Sequence, residues 1–259
     1  MGATMVKRGL KKAWQITGAA ISYTLFGLGA LIVGLVFRLI SVIPGIPAAT
    51  RQTWIRNCIH AGCRGFILTL RAFGLIRYQF ALNSMMQASG GHLVIANHPT
   101  LIDVVLLFAV RKNFCCIVKG ELWHNMFTSA VVRQAGFIPN HSAELIPLAV
   151  EKLAAGENLI IFPEGTRTET SDIIRFKRGA SNVAVASGAP IVPVLIKCNP
   201  GALKKGDKWY TIPDEGLCYT LTSGKRLHLN ELIDTTKPKT LQYRELTRFL
   251  EHYYKDWMA

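Results

Sequence analysis

The first part of the chain carries one long run without charged residues. From Ala13 to Phe37, 25 consecutive residues include no Asp, Glu, Lys, Arg or His. About 20 such residues are enough for a helix to cross the hydrocarbon core of a bilayer. The apolar region of a signal peptide is shorter, roughly 7 to 15 residues. The run therefore predicts a membrane segment.

A second N-terminal stretch is amphipathic and basic. Between about Thr50 and Arg77, arginines alternate with large apolar residues, and the segment Pro44–Pro47 separates this stretch from the first run. Such a composition is typical of a helix that lies in the membrane interface. We therefore expect residues 1–77 to form a pair of membrane-anchoring helices.

From Tyr78 onward, short apolar runs alternate with helical stretches. Uninterrupted apolar strands that alternate with helices indicate a largely parallel sheet with helices on both faces. Residues 78–259 are therefore predicted to form one α/β domain, which ends in a helix from about Pro238 to Trp257. The predicted strands are His92–Ala96, Phe114–Val118, Asn158–Phe162 and Pro190–Ile196, and the predicted helices are Leu101–Val110, Leu122–Gln134, Ala143–Ala155 and Ala180–Ser187.

The positive charge is concentrated in the N-terminal part. The chain has 30 basic and 16 acidic residues, a formal net charge of +14. The first acidic residue is Asp103, and ten Lys or Arg residues precede it, so that part carries +10 of the +14. Because it is also apolar, an anionic phospholipid surface is the expected partner. Nucleic acid, which a basic protein also suggests, is not expected.

The cysteines and histidines form no zinc pattern. No pair of the six cysteines has C-x-x-C spacing, and the sequence H-E-x-x-H is absent. We therefore expect no metal site and interpret the cysteines as reduced thiols of a cytosolic compartment.

A histidine and an aspartate flank the start of a predicted helix. His98 precedes Pro99, which disfavours the helical conformation for His98 and itself suits the first helical position. Asp103 then falls about one turn inside the helix, and the imidazole can fold back towards its carboxylate. A carboxylate on one ring nitrogen fixes the tautomer and leaves the other nitrogen as a base. The alternative is that His98 caps the helix and Asp103 is an ordinary acid of its first turn.

A polar loop follows the predicted strand Asn158–Phe162. Its residues, Pro163 to Arg167, read P-E-G-T-R. A glycine-containing loop offers backbone N–H groups to an anion, and the guanidinium of Arg167 suits phosphate. Further along, Lys177 precedes another helix, whose N-terminus is a further anion site. Solvated loop charges without a ligand are the alternative.

Together, N-H-P-T-L-I-D (Asn97–Asp103) and F-P-E-G-T-R (Phe162–Arg167) resemble the glycerolipid acyltransferases, and among them the bacterial lysophospholipid acyltransferases of the 1-acylglycerol-3-phosphate acyltransferase type. The segment I-V-P-V (Ile191–Val194) follows in the family's order, and the resemblance covers about His92 to Lys197. It implies an α/β enzyme that moves a fatty acyl chain from acyl-CoA or acyl-carrier protein to a hydroxyl of a lysophospholipid or similar lipid acceptor.

The resemblance also implies roles for individual residues. His98 would be the general base and Asp103 its partner. The reaction would need no acyl-enzyme and no cofactor besides the thioester co-substrate. The substrate-binding residues implied by the loop are Glu164, Gly165, Thr166 and Arg167, the last two towards a substrate phosphate.

One position departs from the family. Where its members carry a segment like G-x-F-I-x-R, this chain has Gly136–Asn140, so Asn140 replaces the arginine linked to the acceptor's phosphate. An amide donates a hydrogen bond but brings no charge. We therefore expect either an acceptor other than lysophosphatidate or a substitute charge from Arg175 or Lys177.

The resemblance also bears on location. Activated acyl thioesters are found in the cytoplasm, which favours a helix pair that dips into one leaflet of the inner membrane with the catalytic domain facing the cytoplasm. Positive residues flank both ends of the apolar run, so charge alone does not decide against a single crossing. Membrane lipids are the expected partners, and acyl-carrier protein is a further candidate. A non-catalytic membrane-binding protein and a thioesterase-like hydrolase stay as alternatives.

Overall fold

Two long helices precede a seven-stranded sheet. The computed structural model describes residues 2–82, 90–126, 128–167, 174–204 and 206–258, with side chains from residue 6 onward. The strands are β1 (Ile76–Ala81), β2 (Leu93–Ala96), β3 (Phe114–Val118), β4 (Ile138–Pro139), β5 (Asn158–Ile161), β6 (Ile191–Asn199) and β7 (Leu217–Ser223). The helices are α1 (Gly2–Ile40), α2 (Ala48–Ala72), α3 (Asp103–Val110), α4 (Gly120–His124), α5 (Ser129–Gln134), α6 (Leu145–Ala154), α7 (Gly179–Ser187), α8 (Leu229–Leu232) and α9 (Lys239–Met258).

The sheet is largely parallel, as the sequence predicts. Its strand order is β1-β7-β6-β2-β5-β3-β4, and the pairs are parallel apart from β6 with β7. The strands β2, β5, β3 and β4 therefore place their carboxyl ends at one edge. Strands β1, β4 and β7 were not predicted, because β4 is two residues long and the other two lack a continuous apolar run.

Helices cover both faces of the sheet, which confirms the predicted architecture. One core contains residues of α1, α2, α3 and α5, and the other contains residues of α6, α7 and α9. Along β2, Val94 and Ala96 join the first core, whereas Leu93 and Ile95 join the second. Successive side chains of a strand point to opposite faces, so a strand covered on both sides is apolar throughout.

The predicted helix Leu122–Gln134 is wrong as a single element. It divides into α4 and α5, and Asn125 between them is extended. The Thr128 hydroxyl donates to Leu122 O at 2.7 Å, and the Thr128 N–H donates to Asn125 Oδ1 at 3.3 Å. Side chains that bond nearby backbone in this way compete with the helical hydrogen bonds.

Helix α1 is attached to the rest of the protein along most of its length. Among the described residues, the segment Val6–Ile40 has the length and hydropathy for a membrane crossing. Near its start, Arg8 Nε lies 3.0 Å from Asp214 Oδ2, and near its end Phe37 O accepts a hydrogen bond from Gln134 Nε2 at 2.8 Å. These contacts are about 44 Å apart along the helix. The opposite side of the helix exposes Leu10, Leu28, Ile32, Leu35 and Leu39.

Helix α2 is fixed to the sheet through a buried arginine. Arg56 is 4% exposed, and its Nε donates to Ala135 O at 2.8 Å. Its two terminal nitrogens bind Asn113 Oδ1 at 2.7 Å and Glu157 Oε2 at 2.6 Å. Lys152 Nζ lies 3.2 Å from the other oxygen of Glu157. The basic face of the predicted interfacial helix is therefore partly an internal contact.

Strand β1 joins the helix pair to the sheet. It pairs in parallel with β7, with Ile76 opposite Leu217. The predicted division between residues 77 and 78 lies inside this strand. Residues of α1 and α2 and residues of the sheet belong to the same hydrophobic core.

Helix α9 reaches into the sheet through Tyr254. Its side chain lies between β2 and β6, next to the pair formed by Ile95 and Pro193. The buried Tyr254 hydroxyl donates to Ile95 O and accepts a hydrogen bond from Val194 N at 3.0 Å. A side chain of the last helix thus replaces part of the hydrogen bonding between two central strands.

Substituting Arg56 with Met should destabilise the protein, because Asn113 and Glu157 lose a buried partner. Breaking a buried ion pair costs roughly 3–5 kcal/mol, and since Lys152 still pairs with Glu157 we expect about 3 kcal/mol. Urea unfolding in detergent measures the free energy of unfolding. The control is Arg64→Met, an exposed arginine of the same helix, for which we expect a change within about 0.5 kcal/mol. Equal losses in the two variants would contradict this role of Arg56.

Candidate active site

Directly after β2, the side chain of Asn97 forms the two hydrogen bonds that a further strand residue would form with β6. Asn97 is buried; its Nδ2 donates to Ile196 O at 2.9 Å, and its Oδ1 accepts from Ile196 N at 2.7 Å. The amide therefore satisfies the backbone of β6 in place of a further β2 residue. His98 can then turn out of the sheet from a fixed anchor.

His98 and Asp103 are in contact. The distance from His98 Nδ1 to Asp103 Oδ2 is 2.8 Å. The Asp103 side chain is fully buried, whereas the His98 side chain is 21% exposed. Because an ionised carboxylate only accepts hydrogen bonds, Nδ1 carries the proton and Nε2 is left to accept one.

The helix after His98 begins later than predicted. It starts at Asp103 instead of Pro99, so Asp103 does not lie one turn inside it. The reason is that the intervening backbone bonds elsewhere: Leu101 N donates to Leu203 O in a distant loop at 3.1 Å. His98 and Asp103 therefore meet across a short loop rather than over a helical turn.

Thr100 supplies two further hydrogen bonds to the carboxylate. Its N–H donates to Asp103 Oδ2 at 2.7 Å, and its hydroxyl donates to Asp103 Oδ1 at 2.5 Å. Burial raises the pKa of Asp103, while the hydrogen bonds from His98 and Thr100 oppose that rise. The sequence interpretation missed Thr100, although T-x-x-D is a capping pattern that could have indicated it.

The loop after β5 contacts the histidine directly. Glu164 is buried, and its Oε1 accepts a hydrogen bond from the backbone N–H of His98 at 2.8 Å. The rings of His98 and Phe162 lie 4.5 Å apart between centroids. Because β5 is the neighbour of β2, the two sequence motifs lie side by side.

Gly165 and Lys177 are also brought together. Gly165 has a φ of +71°, and a Cβ placed there would lie 2.9 Å from Lys177 Nζ. The loop needs glycine both for its backbone conformation and for this close approach. The Gly165 N–H donates to Phe162 O at 3.1 Å, so this amide is already used within the loop. Thr166 follows and is half-buried.

Arg167 binds a neighbouring loop. Its Nη1 donates to Lys204 O at 2.9 Å and to Leu203 O at 3.3 Å. Backbone carbonyls satisfy hydrogen bonds but do not neutralise the charge. Within the described ranges no carboxylate lies at ion-pair distance from this guanidinium. Arg167 thus holds the 203–204 loop and keeps a positive charge beside the site.

Asn140 lies apart from the histidine. It follows β4, and its Oδ1 accepts a hydrogen bond from Gly120 N at 3.1 Å. Strand β4 is three places from β2 in the sheet, a distance of about 14 Å. The structure therefore does not bring Asn140 together with His98.

An apolar cavity of about 680 Å³ opens between α1, α2 and α3. Val104 and Val105, which directly follow Asp103, form part of its wall, and so does the stacked pair Phe108 and Phe137. Side chains that line it from α1 and α2 are Leu25, Phe26, Val33, Ile59, Cys63 and Phe66. The sequence interpretation missed this cavity, because its walls come from distant segments.

The described residues offer no metal site. No group of three or more His, Cys, Asp or Glu side chains among them could hold an ion. Burial raises the pKa of the Cys115 thiol to about 11, and a buried thiol of this kind is unreactive.

Known acyltransferases are similar to the middle part of this chain. Residues 77–197 match the family model described as Acyltransferase. The chain is similar to a 1-acyl-sn-glycerol-3-phosphate acyltransferase of Helicobacter pylori, 31% identical over 116 residues, and to one of Cocos nucifera, 33% identical over 112 residues. The first match covers 42% of this chain and 49% of the relative, and the second covers 40% of this chain and 36% of the relative. The chain thus spans at most about half of either relative.

The overall fold has a solved counterpart. The crystal structure of the 1-acyl-sn-glycerophosphate (LPA) acyltransferase PlsC from Thermotoga maritima superposes with a TM-score of 0.69 at 19% identity. The match covers 97% of this chain and 98% of that one. The shared fold therefore includes the helix pair as well as the sheet.

Substituting Glu164 with Ala should destabilise the protein, because the partly buried N–H of His98 loses its acceptor. An unsatisfied buried group costs about 1–3 kcal/mol. The matched control is Glu164→Gln, which keeps an oxygen at this position and should lose less than half as much. Thermal unfolding in detergent measures both. A Gln variant as unstable as the Ala variant would contradict the assignment of this hydrogen bond.

Proposed function

We propose that this protein transfers a fatty acyl chain from a thioester, acyl-CoA or acyl-carrier protein, to a hydroxyl of a lysophospholipid or similar lipid. The observation that carries the proposal is the contact of His98 with the buried Asp103, within an acyltransferase domain and beside the P-E-G-T-R loop. The fold alone would not suffice, since one fold serves many functions.

The reaction needs a base because an alcohol is too weak an acid to attack a thioester unaided at neutral pH. His98 Nε2 takes the proton of the acceptor hydroxyl as its oxygen bonds to the thioester carbonyl carbon. The tetrahedral intermediate then collapses, the C–S bond breaks, and His98 returns the proton to the leaving thiolate. The buried carboxylate of Asp103 stabilises the imidazolium in between. A positioned base contributes about 10²–10⁴-fold to such a step.

The apolar cavity is the proposed site of the acyl chain. It begins at Val104, next to the carboxylate that holds the histidine, and runs between the two N-terminal helices. Burying a methylene contributes about 0.8 kcal/mol, so an apolar site of this size favours a long acyl chain. The donor's thioester would then lie at the cavity mouth, beside His98.

The acceptor's anionic group is proposed to bind near Arg167 and Lys177 instead of Asn140. Both cations adjoin Gly165 in the loop that contacts the histidine, whereas Asn140 is about 14 Å away across the sheet. The Asn140 side-chain oxygen accepts a hydrogen bond from Gly120 N. This arrangement admits a phosphate-bearing acceptor without the missing arginine.

The helix pair is proposed to lie in one leaflet of the inner membrane, with the domain on the cytoplasmic side. The attachments of α1 to the domain span about 44 Å, more than the hydrocarbon thickness of about 30 Å. A helix bound along that length to a water-exposed domain cannot also cross the bilayer. Its exposed apolar side would enter the leaflet, and basic residues would contact anionic lipid headgroups.

Substituting His98 with Ala should reduce acyl transfer at least 100-fold without weakening binding to anionic vesicles. Mass measurement of lipid products, with lysophosphatidate and other lysophospholipids as acceptors, reports both the loss and the preferred acceptor. The control is His252→Ala, an exposed histidine of α9, which should keep full activity. Transfer that persists in the His98 variant would contradict the proposal. Release of free fatty acid without any acceptor would identify a hydrolase.

Substituting Gly29 with Leu should select against long acyl chains. Gly29 lines the cavity, and a Cβ there meets nothing within 4 Å. Loss of room for two methylenes corresponds to about 1.6 kcal/mol, roughly tenfold in relative kcat/KM of long against short donors. The control is Gly27→Leu, two residues away on the same helix and equally open but outside the cavity lining. An unchanged chain-length profile in the Gly29 variant would exclude the cavity as the acyl site.

A further inference from the structure

A buried hydrogen-bond chain continues from Asp103 into the far part of the sheet. Tyr219, on β7, donates from its hydroxyl to Thr100 Oγ1 at 3.2 Å. Tyr219 and Asp103 are both 0% exposed, and Thr100 is 1% exposed. Tyr219 lies outside residues 77–197 and outside both sequence motifs.

The direction of the Thr100 proton is fixed by chemistry. An ionised carboxylate only accepts hydrogen bonds, so the single hydroxyl proton of Thr100 must point to Asp103 Oδ1. Thr100 Oγ1 can then only accept from Tyr219, for whose proton the Cys198 sulfur is a second and weaker acceptor. Without Tyr219, the Thr100 oxygen would keep a free lone pair in a dry core, and Asp103 alone would orient its hydroxyl.

We propose that Tyr219 is a positioning residue for the catalytic pair: through Thr100 it holds the Asp103 carboxylate oriented towards His98 and ionised. The inference rests on the proposed function, because it assigns Tyr219 to the reaction in which His98 is the base. Tyr219 does not touch the substrate in this scheme. Its effect reaches the base through Thr100 and Asp103 alone.

Burial explains why this support matters. The fully buried Asp103 has a raised pKa, and each hydrogen bond that it accepts favours the charged form. If one donor is lost, the pair binds a proton more readily, and the base is inactivated at a higher pH. Besides the two members of the pair, the titratable groups that face it are Tyr219 from β7, Cys198 from β6 and Glu164 from the loop after β5. His60 of α2 binds Phe108 O, towards the other end of α3.

The experiment compares Tyr219→Phe with Thr247→Val in the full chain. Tyr219→Phe removes the hydroxyl and keeps the ring in the core. Thr247→Val removes a different buried hydroxyl, which pairs with Ser181 at 2.7 Å between α9 and α7, away from the active site. The control therefore matches the loss of a buried hydrogen bond without touching Asp103.

We expect Tyr219→Phe to lower kcat about tenfold with little change in KM, and to move the acid limb of the pH–rate profile upward by roughly 0.5–1 pH unit. Thr247→Val should change the melting temperature without moving the acid limb. If Tyr219→Phe leaves both kcat and the acid limb unchanged, Tyr219 is a structural residue and the inference is wrong.

A second pair of variants covers the case in which Tyr219→Phe does not fold. Thr100→Val removes the hydroxyl between Tyr219 and Asp103 and should move the acid limb in the same direction. Thr100→Ser restores that hydroxyl and should return the acid limb towards the wild-type position. A serine variant that behaves like the valine variant would overturn the inference.

The inference is also testable without turnover. NMR of the 15N-labelled imidazoles, with His98 assigned by its absence in His98→Gln, follows the titration of this ring directly. In Tyr219→Phe its midpoint should move upward, and an unchanged midpoint overturns the inference. If the wild type transfers no acyl group while this shift occurs, the proposed function fails and the hydrogen-bond chain stands.

Discussion

The burial of the Asp103 carboxylate is the constraint on which the rest of the candidate site depends. A charge without water is costly unless donors surround it, and here the donors are the imidazole of His98 and two groups of Thr100. Those donors lie on one short loop, so the loop must hold a single conformation. Asn97 fixes its start on β6, and Glu164 fixes the backbone of His98. The buried carboxylate thus requires a rigid loop around His98, and Asn97 and Glu164 make the loop rigid.

The sheet makes this arrangement possible by bringing two loops to one edge. Parallel neighbours β2 and β5 end side by side, which places the histidine next to the P-E-G-T-R loop. On the same face, α3 begins at Asp103 and continues as a wall of the apolar cavity, whose other walls are the N-terminal helices. The polar site and the apolar cavity therefore adjoin each other at Asp103. The helix pair therefore contributes to the wall of the cavity and also carries exposed apolar side chains.

Local signals predicted the central strands and the contact of His98 with Asp103. These features depend on apolar runs, on the geometry before a proline and on the parallel order of strands. The sequence did not indicate that Arg167 binds the carbonyls of the 203–204 loop, that Arg56 is buried, or that Tyr219 lies behind Thr100. Each of these contacts joins segments far apart in the chain, and one sequence carries no periodicity that encodes them. The division between α4 and α5 was missed because Thr128 and Asn125 compete locally with the helix.

Tyr254 has a consequence for what constitutes the folding unit. Its hydroxyl bridges Val194 N on β6 and Ile95 O on β2, two residues before the anchor Asn97. The strand that carries the histidine is therefore completed by a helix more than 150 residues later in the chain. A fragment cut to residues 77–197 would keep both motifs and still lack the side chain that bridges their central strands, so the smallest autonomous unit extends to α9.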